Sequence, residues 1–194
     1  MRYVTLFPSV LIAWASLGFA QSAPQPLSPQ HGWQPSQQTN VPDAYTYTRF
    51  TLAGKFPTPT QAEASARPAL VVDCIPGTGS DHPKGRFLAA HLLVGTPLQI
   101  RWVEVAIPEN ANGIWYPPKV AVQYRADDAH PERDQWPAGS DRTSASIPKG
   151  ALKEILRAHT VAITAADADG SRLPMQFDMS NAAPVKDGCN LDER

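Results

Sequence analysis

Short strand-forming segments, separated by turns that contain proline or glycine, constrain the fold of this chain more than any other feature. The clearest is KVAVQYRAD at residues 119–127, in which Val120, Val122 and Tyr124 alternate with polar or small residues. Alternation of this kind is typical of a β-strand with one buried face. Further segments of this type are AYTYTRFTL, PALVVDC, RFLAAHLLV, LQIRWVEVAI, TVAITAA and LPMQFDM. The sequence therefore predicts a mainly β domain.

One segment has helical spacing instead. PKGALKEILRAH, at about residues 148–159, places its apolar residues on one side of a helix and its charged residues on the other. The next two strands, joined by a turn at residues 167–170, are predicted to form a hairpin. Pro174 places the second of them at a sheet edge, since proline cannot donate to a ladder. We predict an antiparallel, sandwich-like sheet domain with one covering helix.

The N-terminus has the layout of a secretory signal peptide. Arg2 precedes an apolar stretch that ends in small residues at Gly18 and Ala20. We predict that residues 1–20 are the signal and that cleavage follows Ala20. The alternative is a membrane anchor, for which the apolar stretch is marginal in length and lacks a following cationic stop signal. The protein is therefore expected to be periplasmic or secreted, with no membrane-spanning segment after cleavage.

Residues 21–44 are rich in Gln, Pro and Ser and nearly free of aliphatic side chains. Such a segment cannot bury enough surface to offset the entropy lost on ordering, so it is predicted to be a flexible tether. Trp33 within it is either a docking point for a partner or an accident of composition. Residues 45–194 are predicted to form a single β-rich domain, which is enough chain for a core of ordinary size.

Cys74 and Cys189 are the two cysteines of the chain. An even count in an exported protein favours a disulfide, because the compartment is oxidising. The alternative is a pair of free thiols, one of them nucleophilic. Neither cysteine belongs to a CxxC pair or has a histidine close by in sequence, so we predict the structural bridge.

The distribution of charge along the chain points to no particular partner. The chain has 17 Lys and Arg residues and 18 Asp and Glu residues, and its formal net charge is −1. A nucleic-acid-binding surface requires a basic stripe, whereas the cations here are scattered along the sequence. We therefore predict no nucleic-acid partner.

The run YRADDAHPERDQW at residues 124–136 is the densest group of polar side chains in the chain. A calcium loop of the EF-hand type starting at Asp127 would need glycine at its sixth position, which is Glu132. A zinc site needs three or four ligands, and His130 is the single histidine of the run. Asp, His and Pro between two strands are common turn residues, so we predict a solvated turn, and no metal or cofactor.

Catalytic motifs are weak in this sequence. A serine nucleophile in G-x-S-x-G is absent, and Ser140 lies in AGSDR. Ser140 and Asp141 with a histidine remain an alternative, because a triad is defined by geometry and not by sequence order. We predict no catalytic residue. Trp115 and Tyr116, in a proline-flanked loop, are candidate contacts for a sugar ring or a peptide, and the alternative is that they cover the core.

Residues 68–189 resemble the periplasmic proteins associated with bacterial type VI secretion, the VasI-like family. The matching segments, in order, are PALVVDC, VAVQYRADD, Trp136, GSDRTSASIP, LKEILRAHTVAITAADADG, MQFDMS and the last cysteine. Two features depart from the family pattern: the Pro- and Gln-rich N-terminal segment replaces a strand region, and residues 82–118 are longer than expected.

The resemblance implies a small envelope domain with one disulfide and no catalytic residues. We therefore expect an exported, non-catalytic accessory or binding protein of the cell envelope, associated with a secretion system, with an envelope protein or a glycan as its partner. The alternatives are a small secreted hydrolase or metal-dependent enzyme with an unlocated site, and a purely structural envelope component.

Overall fold

A computed structural model describes residues 32–40, 45–57, 67–75, 85–101 and 118–191. The predicted signal peptide and the candidate contact residues Trp115 and Tyr116 lie outside these ranges.

Within the described residues, ten strands and two helices follow one another along the chain. They are β1 (Gln34–Asn40), β2 (Tyr45–Ala53), β3 (Ala69–Ile75), β4 (Arg86–Leu93), β5 (Ile100–Arg101), β6 (Lys119–Ala126), β7 (Glu132–Pro137), β8 (Ser144–Ser146), α1 (Lys149–Ile155), β9 (Thr160–Ala166), β10 (Arg172–Asp178) and α2 (Ala183–Gly188).

The strands form two antiparallel sheets. Sheet A has the order β1–β2–β3–β4–β8, and sheet B has the order β10–β9–β6–β5. Lys119 and Val120 of β6 pair with both β5 and β7, so β5 and β7 lie on opposite edges of β6. Gln123 and Tyr124 likewise pair with both β7 and β9, so β5 and β9 lie along different parts of one edge of β6, and β7 lies on the opposite edge.

The inward faces of the two sheets enclose one hydrophobic core. Val120, Val122 and Tyr124 of β6 are buried, as their alternation predicts. From sheet A, Phe50 and Leu92 belong to the same cluster. The prediction of a mainly β, antiparallel, sandwich-like domain is confirmed.

Two contacts join the sheets along their sides. Ala138, just after β7, bridges to Ala145 of β8, so the β7–β8 connection passes from sheet B to sheet A. On the other side, Lys55 exchanges two backbone hydrogen bonds with Gln176 of β10, at N···O distances of 2.9 and 2.8 Å. These contacts fix the two outward faces relative to one another.

The predicted hairpin after the helix is confirmed as β9 and β10. Its turn includes Gly170 at φ +86°, a conformation that suits glycine. Asp167 tightens the turn, because its carboxylate accepts N–H groups from Asp169 and Ser171 at 3.1 and 2.8 Å. Pro174 lies on the edge strand of sheet B, as predicted.

The predicted helix forms, but it ends at Ile155 and does not extend to residue 159. Its buried residues join the core, and Glu154 approaches the Tyr124 hydroxyl at 2.9 Å. A second helix, α2, was not predicted, because its six residues are too few for a periodic pattern and include a proline. The domain therefore has two helices within the described residues, where one was expected.

The prediction of a flexible tether over residues 21–44 is wrong for Gln34–Asn40, which forms β1 and pairs with β2 along its whole length. The polar strand is stabilised by backbone pairing and by bonds such as Gln37 Nε2 to Thr48 Oγ1 at 3.1 Å. Trp33, directly before it, is 3% exposed and belongs to the core. The ordered domain thus includes residues before position 45.

The predicted disulfide between Cys74 and Cys189 is present. It links β3 to the residue that follows α2, with 5.6 Å between the Cα atoms, and both cysteines are buried. None of the described helices has the length and apolar character needed to cross a membrane.

Candidate functional site

The acidic run at residues 124–136 forms the end of β6, a turn and β7, so the predicted turn is confirmed. Asp127 adopts φ +48° and accepts backbone N–H groups from Thr160 and His159 at 2.8 and 2.9 Å. These hydrogen bonds, that of Thr160 first, lower the pKa of the Asp127 carboxyl. The carboxylate thus holds the start of β9 against the turn between β6 and β7.

Among the described residues, no cluster of three or more His, Cys, Asp or Glu side chains could hold a metal ion.

Ser140 and Asp141 lie in the β7–β8 connection, and the Asp141 carboxylate is engaged by that turn. It accepts the Thr143 N–H at 3.0 Å and the hydroxyls of Thr143 and Ser144 at 2.8 and 2.9 Å. The Thr143 hydroxyl is the largest cause of the lowered pKa of Asp141. The geometry therefore gives Asp141 a structural role.

A different set of triad-type residues, which the sequence interpretation missed, lies on the outward face of sheet A. Ser146 Oγ is 3.4 Å from His91 Nδ1, across the β4–β8 pair. Asp73 of β3 is close to them in the sheet, but both of its oxygens accept hydrogen bonds from Arg49, at 2.8 Å each. Burial lowers the pKa of His91. A triad needs the carboxylate to orient the histidine, whereas here it binds an arginine.

The outward face of sheet B gathers cations that are far apart in sequence. We call this surface the basic face and define it by five side chains: Arg101 of β5, Lys119 and Arg125 of β6, Arg133 of β7 and Arg172 of β10.

Register places these cations around a central area of the sheet. Arg101 lies opposite Lys119, Arg133 opposite Gln123, and Arg172 opposite Ala166. From β7 to β10 there are three strand spacings, or about 14 Å. From Lys119 to Arg125 along β6 the distance is about 20 Å. The cations therefore border an elongated area.

The floor of this area consists of small and amide side chains. Ala121 and Ala166 lie at its centre, with Thr164 beside them, and Gln123 and Gln135 border them. The floor and four of the cations line a shallow cavity of about 680 Å³, and Arg125 lines the neighbouring cavity. Small side chains let a ligand approach the sheet closely, and amides and hydroxyls can both donate and accept hydrogen bonds.

None of the five cations of the basic face has an ion-pair partner among the described residues. Asp134, a carboxylate that also lines the cavity, accepts the Trp136 indole N–H at 2.9 Å and the Gln135 N–H at 2.7 Å. Asp127 and Asp178 line the cavity beside Arg125, so the five cations outnumber the carboxylates and the surface carries an excess of positive charge, although the whole chain has a net charge of −1.

This surface was not predicted from the sequence, because its cations are not consecutive along the chain. Arg101 and Arg172 are brought to one face by strand pairing, and each cation occupies an outward position of its strand. The signal that could have found it is an Arg or Lys at an outward position in several strands at once. No family model, curated protein or solved structure matches this chain, so the candidate site rests on its own geometry.

Proposed function

We propose that this protein is an exported, non-catalytic binding module of the cell envelope, periplasmic or secreted, and that its basic face binds an acidic polysaccharide. The observation that carries the proposal is the group of five unpaired cations around a floor of small side chains. Export is supported by the signal-like N-terminus and by the disulfide, which persists in oxidising compartments.

An anionic ligand is favoured by electrostatics. Cations gathered on one surface without carboxylate partners repel one another, and an anion bound among them relieves this repulsion. Their arrangement over about 14 by 20 Å suits an extended chain with several negative groups better than a single small anion.

The other side chains of the basic face favour a polysaccharide over other polyanions. Gln123, Gln135 and Thr164 can donate to and accept from sugar hydroxyls, which have the same dual character. Among the described residues lining the cavity there is no aromatic side chain on which a nucleic-acid base could stack. Extended peptides bind by adding a strand to a sheet edge, whereas this surface is a sheet face.

The resemblance to the VasI-like family suggests an association with a secretion system, and this stays a prediction. A polysaccharide-binding accessory module is compatible with such an association, because a secretion machine crosses the envelope polymers. The hydrolase alternative has less support, since Asp73, beside Ser146 and His91, is held by Arg49.

The test compares binding to alginate, a polyuronate, with binding to neutral dextran by isothermal titration calorimetry. We expect the unmodified protein to bind alginate with an affinity that falls as sodium chloride is added, whereas binding of dextran, which has no charge, should not respond to salt. The triple variant Arg101→Gln, Arg133→Gln, Arg172→Gln should lose at least about tenfold in affinity, since three charge-assisted contacts disappear.

The matched control replaces three exposed arginines away from the basic face, at positions 67, 86 and 157, with glutamine. It changes the net charge by the same amount and should leave alginate binding nearly unchanged. Equal losses in the two triple variants would show unspecific attraction and contradict the proposal. Tighter binding to a DNA oligonucleotide or to phosphatidylglycerol vesicles would contradict the choice of a polysaccharide.

A further inference from the structure

A second concave surface lies on the outward side of sheet A, on the opposite side of the sandwich from the basic face. We call it the tyrosine groove. It has a volume of about 590 Å³, and its lining includes Tyr45 and Tyr47 of β2, Asp73 of β3, Leu88 of β4, and Thr39 and Asn40 of β1.

The apolar part of the groove is a pair of half-buried aromatic rings. Tyr45 and Tyr47 are two residues apart on β2 and therefore share one face of the sheet. Their ring centroids are 6.0 Å apart, and the ring planes are tilted by 51°. Leu88 adds aliphatic surface from β4. Rings held in this way offer a rigid apolar surface with little entropy left to lose on binding.

The polar part of the groove is the Asp73 carboxylate, which Arg49, beside the groove, holds in a fixed ion pair. Asp73 is 6% exposed, and its two oxygens accept Nε–H and Nη2–H groups of Arg49 at 2.8 Å each. The Arg49 guanidinium carbon also lies 5.7 Å from the centroid of the Tyr47 ring. The pair therefore has a defined position relative to the aromatic surface.

This ion pair keeps hydrogen-bonding capacity for a ligand. A carboxylate has about four lone-pair positions and a guanidinium has five N–H donors. Two of each are used in the pair of Asp73 and Arg49, and Arg49 Nη2 also donates to the Tyr47 hydroxyl at 3.5 Å, so about two acceptor positions and two donors remain. A hydroxyl group that donates to the carboxylate while a neighbouring hydroxyl accepts from the guanidinium would match this arrangement.

We propose that the tyrosine groove binds one neutral pyranose ring of a glycan. The C–H face of the ring would stack on Tyr45 and Tyr47, and two adjacent hydroxyls would bind Asp73 and Arg49. Thr39 and Asn40, at the end of β1, supply further polar groups on the rim. A neutral sugar has an apolar C–H face and adjacent hydroxyls. The groove has an apolar aromatic surface for the first and hydrogen-bonding groups beside it for the second.

Charge distinguishes this ligand from the one proposed for the basic face. The Arg49 and Asp73 charges compensate each other within the groove, so there is no net charge to attract an anion or a cation. The inference uses none of the residues of the basic face, and either proposal can fail without the other.

The test is saturation-transfer-difference NMR on the full chain with three named neutral probes: maltotriose, cellotriose and N,N′,N″-triacetylchitotriose. We expect at least one of them to receive saturation at its ring C–H protons. Tyr45→Ala should weaken that binding about tenfold, the size of one aromatic stacking contact, whereas Tyr45→Phe should retain most of it because the ring remains. The basic-face triple variant should bind the sugar normally.

Two outcomes would overturn this inference. In one, none of the three sugars receives saturation from the unmodified protein at millimolar concentration. In the other, a sugar binds but the double variant Tyr45→Ala, Tyr47→Ala binds it equally well. Upfield methyl signals in the proton spectrum of each variant establish that the core is intact, so that a loss of binding is assigned to the groove.

Discussion

Reduction of the Cys74–Cys189 disulfide should destabilise the protein by a large fraction of its total stability. The two cysteines are 115 residues apart. In the chain-entropy model, opening a loop of this length gives the unfolded chain about 16 cal/mol/K of entropy, or about 5 kcal/mol at 25 °C. Domains of this kind have a total unfolding free energy of about 5–15 kcal/mol, so the reduced form should be marginally stable.

The measurement is urea unfolding, followed by tryptophan fluorescence, of the oxidised protein and of the protein reduced with a phosphine. With an m-value of about 2 kcal/mol/M, the loss corresponds to a midpoint lower by about 2.5 M. Reduction removes no side-chain atoms from the buried positions of Cys74 and Cys189, so the shift reports the cross-link and not a cavity. The control is the Cys74→Ala, Cys189→Ala variant, whose midpoint should not respond to the reductant.

If reduction lowers the free energy of unfolding by less than about 1 kcal/mol, this reasoning is refuted. It would mean that the reduced unfolded chain is already restricted by residual structure, so that the cross-link removes little entropy. A midpoint shift in the cysteine-free control would instead show that the reductant acts elsewhere.

Three further predictions concern single side chains. Arg49→Met leaves the buried Asp73 carboxylate without two charge-assisted hydrogen bonds, and should cost about 2–3 kcal/mol in urea unfolding. Trp33→Ala opens a cavity beneath β1 and should cost about 3 kcal/mol, with faster amide exchange in β1 than in β6. Burial lowers the pKa of His91 below 6.5, so the unfolded chain binds this proton more tightly than the folded one. The contribution of His91 to stability is therefore present above pH 6.5 and lost as the pH falls below it, and His91→Gln should flatten this part of the pH profile.

Much of the fold follows from local patterns. In β6, the alternation of Val120, Val122 and Tyr124 determines which side of the strand is buried. The β9–β10 hairpin follows from two such segments around the turn that contains Gly170, and Pro174 correctly marks a sheet edge. These features depend on residues close in sequence, and the physical preference acts within each segment.

Features that depend on distant partners were not predictable in this way. Strand β1 is polar, and it is ordered because its backbone pairs with β2 and because Trp33, directly before it, is buried in the core. The basic face depends on register: a slip of one residue in β6 would turn Lys119 and Arg125 towards the core. In each case the sequence supplies the residues, but the pairing of segments far apart in the chain decides where they lie.

The two proposed sites together predict that this protein can cross-link polysaccharide chains. The basic face and the tyrosine groove point in opposite directions from two sheets packed about 10 Å apart, so one stiff chain cannot occupy both. Two chains can, and a protein with one site on each side then joins them. Glucuronoxylan offers both ligands, since it has acidic uronate branches on a neutral pyranose backbone. Dynamic light scattering should show particle growth with the unmodified protein, and no growth with either the basic-face triple variant or Tyr45→Ala. Undiminished growth with either one-sided variant would show that the two faces do not act as separate sites, because the remaining site alone cannot bridge two chains.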